Sequence, residues 1–116
     1  MSRREKLKMR DLDERIAVAF FRWHRIGEHN LLLPPNDDKR MGYVAEWDKN
    51  GRPNWLPKYT LYISDAFEIL EKFDNYSIGK SAIGGAYYAH IGTTKREAES
   101  IPIAICVAAL AEKENR

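Results

Sequence analysis

YTLYISDAFEILEKF, residues 59–73, is the stretch whose reading decides the fold. Ile63, Ala66, Phe67, Leu70 and Phe73 recur at helical spacing and line one side of a helix. Asp65, Glu68, Glu71 and Lys72 fall away from that stripe. Pro57 keeps the residue before it extended, so an upstream strand stops there. Asp74 and Asn75 end the helix with turn chemistry. A central helix with strands on either side in sequence is the expectation.

Upstream, residues 11–26 repeat the helical pattern, with Leu12, Ile16, Ala19, Phe20 and Trp23 as the core stripe and Gly27 as a C-cap. Arg15, Arg22 and Arg25 then share the outer face, either solvated or as a strip of guanidinium forks suited to phosphate. Residues 28–40 read as a loop, because Pro34-Pro35 and Asn36-Asp37-Asp38 resist regular structure. Leu31, Leu32 and Leu33 cover the core edge within it, or form an exposed contact. Residues 42–47 and 54–57 read as a hairpin around Asn50-Gly51, with Trp47 and Trp55 as a cross-strand pair.

Downstream, residues 76–81 and 86–91 form a second hairpin around Gly84-Gly85. Tyr88 and His90 share one face of it. The polar segment 93–99 reads as a mobile loop. Ser100 caps a last helix with Pro102 in its first turn. Residues 103–111 are apolar all round, which calls for burial on several faces or a subunit interface, and so points to a homo-oligomer. The fold class is therefore α+β, in the order α-β-β-α-β-β-α, with an antiparallel four-stranded sheet and helices packed on both faces.

Two motifs carry a resemblance. The first is Pro57 and Tyr59 followed by Ala66, Phe67, Glu68, Ile69, Leu70, Glu71 and Lys72. The second is Pro102, Ile103, Ala104, Ile105, Cys106, Val107, Ala108, Ala109 and Leu110, with Trp23 at the end of the first helix. Over residues 15–111 this pair resembles the phage ABA sandwich domain family, with Tyr62 standing where relatives carry an acidic residue. The resemblance implies a bacteriophage origin and an α/β sandwich. It implies no chemistry and no catalytic residue.

Composition bounds the remainder. The chain of 116 residues is one domain, with a basic arm or helix extension over residues 1–10 and a solvated tail over 112–116. A net charge of +2 gives no strong pull on nucleic acid. A lone Cys106 points to a reducing compartment, the host cytoplasm. No run of residues is long and apolar enough to span a membrane.

Several chemistries lack their residues. Gly79-Lys80-Ser81 resembles the end of a phosphate-binding loop, but Asp74 stands where its first glycine belongs and Gly84-Gly85 replaces its helix. His24 and His29 straddle a glycine, so no metal ligand set forms. Cys106 on an apolar helix stays a protonated thiol. The expectation is no enzyme and no cofactor. Aromatics interleaved with cations suggest instead capture of a small anionic, nucleotide-derived ligand, a sequestration that would counter host antiviral defence. The candidate ligand-binding residues are Arg22, Arg25, Trp47, Arg52, Trp55, Lys58, Tyr59, Tyr62 and Tyr88. The alternative is a phage inhibitor or accessory protein that acts by direct contact with a host protein, using Leu31 to Leu33 and the basic arm.

Overall fold

The computed structural model describes residues 3–35, 46–82 and 84–115, with side chains from Lys8 onward. In chain order the elements are α1 (Arg3–Phe20), β1 (His24–Ile26), β2 (Leu31–Leu33), α2 (Ile63–Leu70), β3 (Tyr76–Lys80), β4 (Tyr87–Ile91), β5 (Thr94–Ala98) and α3 (Ile101–Glu114). The class is α+β. Among the described residues the strands form two separate antiparallel sheets, β1-β2 and β3-β4-β5, rather than the expected single sheet of four.

α3 is the centre of the molecule. One of its sides lies on the three-stranded sheet, chiefly on β4 and β5, and α2 and α1 pack against it as well. Ala104, Ile105, Cys106, Ala108, Ala109 and Leu110 are all buried within the one subunit. Most of the apolar run that suggested a subunit seam is therefore buried in the chain's own core, while Ile103, Val107 and Ala111 stay part-exposed along one side. Ser100 caps the helix as expected, its hydroxyl accepting the Ile103 amide at 3.3 Å. Among the described residues all three helices lie on the α3 side of this sheet, so the expected cover on both faces is not formed. Tyr88 and His90 point away from α3, because Ala89 and Ile91 between and beside them are buried.

The hairpin β3-β4 falls where the sequence placed it, with Ile78 opposite Ala89 and Gly79 opposite Tyr88. The segment expected to be a mobile loop is instead β5, paired antiparallel to β4 from Ala98 opposite Tyr87 to Thr94 opposite Ile91. Three of its residues are exposed, so an edge strand read as a solvated loop. Glu112, expected in a solvated tail, is buried. Its carboxylate accepts the Thr94 hydroxyl at 2.9 Å and the Thr93 hydroxyl at 3.1 Å, tying the β4-β5 turn to α3. Gly92 in that turn has φ +59, and a Cβ there would lie 1.8 Å from the Glu112 carboxylate.

The first helix ends earlier than its apolar pattern suggests. Arg22 takes a left-handed φ of 62, and the Trp23 amide turns back to the Ala17 carbonyl at 3.2 Å. The chain then reverses into β1. Gly27 serves the β1-β2 turn with φ 78 rather than capping a helix. The leucine run is β2, with Arg25 opposite Leu32. Leu32 is fully buried, worth about 2 kcal/mol of transfer free energy.

Among the described residues, the first expected hairpin shows one bridge, Trp47 opposite Pro53, with a tight turn over 48–52 and a further turn after Pro53. Pro53 and Pro57 have no N–H with which to continue a ladder. Residues 42–45 of that hairpin lie outside the described residues. Trp55 packs on Trp23, ring centroids 5.4 Å apart, and not on Trp47.

Candidate functional site

The middle of α1 carries an acidic residue on its buried side. Asp13 lies beside Ile16 and Ala17 on that face and is almost wholly buried. Its Oδ1 accepts the Thr60 amide at 2.9 Å, and its Oδ2 accepts Arg10 Nη1 at 2.7 Å. Arg10 Nη2 reaches the Leu56 carbonyl at 3.1 Å. One helical pair thus holds the chain from Leu56 to Thr60 against α1. Burial pushes the Asp13 carboxyl up by more than the Thr60 amide and Arg10 pull it down.

One residue on, Glu14 gathers two guanidinium groups. Arg25 donates through Nε at 2.9 Å and Nη2 at 2.6 Å, a fork on one carboxylate. Arg52 donates through Nε at 2.8 Å and extends Nη2 to Asp11. Burial alone would push the Glu14 carboxyl up, but the hydrogen bonds from Arg25 and Arg52 outweigh it and hold it below the usual range. For Arg52, burial opposes the charge, and the bonds to Glu14 and Asp11 more than offset it. Arg25 Nη1 also donates to the Asn30 carbonyl at 2.6 Å. This cluster joins α1, the β1-β2 hairpin and the 48–52 turn.

The turn itself is built by Asp48, whose Oδ1 accepts the amides of Asn50 at 2.8 Å and Arg52 at 3.1 Å. Gly51 has φ +74 and its carbonyl accepts the Leu32 amide at 2.8 Å. A Cβ there would meet the Asn30 carbonyl at 2.7 Å, so the close approach of the two loops needs glycine. Trp47 Nε1 donates to the Leu32 carbonyl at 3.2 Å, which fixes the indole plane.

These elements enclose a cavity of about 650 Å³. Apolar walls come from Met9, Trp47, Pro53, Leu61 and Ile103. The polar lining is balanced, with Arg10, Arg52 and Lys58 against Asp13, Glu46 and Asp48.

Of the residues singled out in the sequence, Trp47, Arg52 and Lys58 meet at this cavity. The others are spread through the fold. Arg25 is held by Glu14. Tyr59 is buried, stacked on Phe21 with ring centroids 5.2 Å apart. Trp55 is half-buried against Trp23. Arg22 is exposed at the reversal after α1, no longer on a helix face with Arg15. Tyr62 is exposed at the start of α2, its ring 5.9 Å from Lys58 Nζ. Tyr88 lies on the open face of the larger sheet, under Lys95 Nζ at 4.9 Å. Arg10, Asp13 and Thr60 were not singled out. Their signal was an aspartate in the buried stripe of an amphipathic helix, three residues after an arginine.

Among the described residues no three His, Cys, Asp or Glu side chains gather so as to hold a metal ion. Burial, with the nearby Asp13 charge, pushes the Cys106 thiol well up. No helix is long and apolar enough to cross a membrane among the described residues.

No family model matches the chain, and no curated protein does. A crystal structure of a phage protein from Bacillus cereus ATCC 14579 superposes with a TM-score of 0.63 at 23% identity, covering 92% of this chain and 88% of that one. This chain and that phage protein share their fold.

Proposed function

We propose that this chain is a non-enzymatic phage protein that captures a small nucleotide-derived ligand in the cavity over Asp13, and so withholds a signal of host antiviral defence. The observation that carries the reading is the cavity. Its volume of about 650 Å³ suits a small ligand, and apolar walls with a few fixed polar groups are the usual form of such sites. Trp47, fixed through its indole N–H, offers a stacking surface for a planar base. Arg52 is held by Glu14 and Asp11, so it frames the cavity rather than meeting a phosphate. Lys58 is then the cation at the mouth, with Arg10 behind it. Three cations against three carboxylates favour a ligand with a planar ring and one anionic group over a polyphosphate. The fold shared with a phage protein supports the viral setting.

Calorimetric titration with a cyclic mononucleotide, a cyclic dinucleotide and a nucleoside triphosphate tests this, with inorganic phosphate as control. The expected result is saturable binding of a cyclic nucleotide, weakened about tenfold or more by Trp47→Ala and by Lys58→Glu. Binding that ignores both substitutions, or none across the series, overturns the reading.

A further inference from the structure

The two edges of the larger sheet are unequal. β5 carries Lys95, Arg96 and Glu97 in succession, all exposed, and a charged edge of this kind resists pairing with another strand. β3 has no proline and no charge before its last residue, Lys80. Which of its backbone groups face outward follows from the ladder to β4. The Ser81 amide donates to the Ala86 carbonyl at 2.7 Å, and the Gly92 amide to the Asn75 carbonyl at 3.0 Å. Both bonds continue the register that sets Ser77 opposite His90 and Gly79 opposite Tyr88. Bonded pairs alternate along an antiparallel ladder, so Ser77 and Gly79 turn their N–H and C=O toward β4. Tyr76, Ile78 and Lys80 turn theirs to the free side. Among the described residues nothing hydrogen-bonds to those outward groups. α3 lies chiefly on β4 and β5, away from this edge.

We propose that β3 of a second copy of this chain pairs with this edge, antiparallel about a two-fold axis at Ile78, joining the two sheets into one. The occupant is an extended chain because donors and acceptors recur at every second residue along the edge, which another strand matches and a helix does not. The sequence of β3 selects itself as that strand. With Ile78 opposite the partner's Ile78, Tyr76 falls opposite the partner's Lys80 and Ser77 opposite the partner's Gly79. Residues 76, 78 and 80 are then the bonded pairs, so every outward N–H and C=O of both strands is met. Tyr76 is 52% exposed, and Lys80 is exposed on the same face of the sheet, so each ammonium reaches the partner's ring. The two Ile78 side chains meet at the axis on that face. No like charges oppose one another in this register. The same operation on β5, about Arg96, would set guanidinium against guanidinium. None of the β3 residues lines the cavity, so the pairing is independent of ligand capture. A seam of one short strand from each copy falls below the roughly 800 Å² per partner of a tight complex, so the dimer is reversible.

Sedimentation from low micromolar to near millimolar concentration, with residue-resolved hydrogen exchange at both ends of the range, tests the pairing. The expected result is a monomer–dimer equilibrium. In the dimer the amides of Tyr76, Ile78 and Lys80 should exchange about tenfold or more slowly than in the monomer, while those of Ser77 and Gly79 are protected at both concentrations. Lys80→Pro removes an outward N–H and a charge but no bond to β4, and proline is tolerated at such an edge position. It should raise the dissociation constant about tenfold or more. A thermal melt checks that the variant still folds, and the exchange pattern of the unaltered chain needs no variant. A monomer throughout the range overturns the proposal. So does a dimer in which the amides of Tyr76, Ile78 and Lys80 stay as fast as in the monomer, because its seam then lies elsewhere.

Discussion

Glu14 holds two guanidinium groups and is the residue on which three segments converge. Replacing it with Gln keeps the shape and removes the charge, leaving the buried Arg52 with Asp11 alone and Arg25 with the Asn30 carbonyl. The expected cost is about 2 kcal/mol at neutral pH, read as a lower denaturant midpoint. The pH dependence has a definite sign. Glu14 binds its proton less readily folded than unfolded, so its contribution is complete above the ordinary glutamate range and fades as pH falls through the lowered folded value. The gap between the native chain and Glu14→Gln should therefore narrow in acid. Asp13 acts in the opposite sense, since burial raises its carboxyl, and deprotonating it lowers stability as pH rises through that raised value. The two carboxylates are sequence neighbours with opposite shifts. The difference comes from what reaches them: two arginines in one case, one amide and one arginine against deeper burial in the other.

Elements were legible where local signals agreed. α3 had its cap, its proline and its apolar run in the right order, and it formed from Ile101 to Glu114. Ser100→Ala should lower stability by about 1 kcal/mol, measured by denaturant unfolding, by leaving the Ile103 amide without its partner. The hairpin β3-β4 was equally legible from alternation around two glycines. The three-residue strands β1 and β2 carry too little pattern to announce themselves, and they exist because Arg22 takes a left-handed turn that no residue type there foretells. β5 was masked by its exposed polar side chains, and only its ladder to β4 makes it a strand. The central stretch gave its helix and its apolar stripe correctly as a pattern. It did not reveal that the stripe is shared between the core and an outward face.

At the scale of the whole molecule, α3 is covered by the sheet on one side and by α1 and α2 on the others, so its middle turn is the part least able to open alone. Hydrogen exchange should show the amides of Ala104 to Leu110 as the slowest, exchanging only with global unfolding, while the turn around Gly84 and Gly85 exchanges early. The candidate cavity also belongs to this scale. Trp47, Arg52 and Lys58 could be picked from the sequence as aromatics and cations near a turn, and they do meet at the cavity. Arg10, Asp13 and Thr60 could not, because their meeting depends on how the chain from Leu56 to Thr60 crosses α1. By itself the sequence determined the mixed class, the positions of the central and last helices, one hairpin and the inert buried thiol. Each of these follows from the periodicity, capping or hydropathy of a single stretch. Only the tertiary structure decided that the strands divide into two sheets, that Arg25 and Arg52 are occupied by Glu14, and that part of α2 faces outward. Those outcomes rest on contacts between residues far apart in the chain, where packing and charge pairing choose among partners that local pattern leaves equivalent.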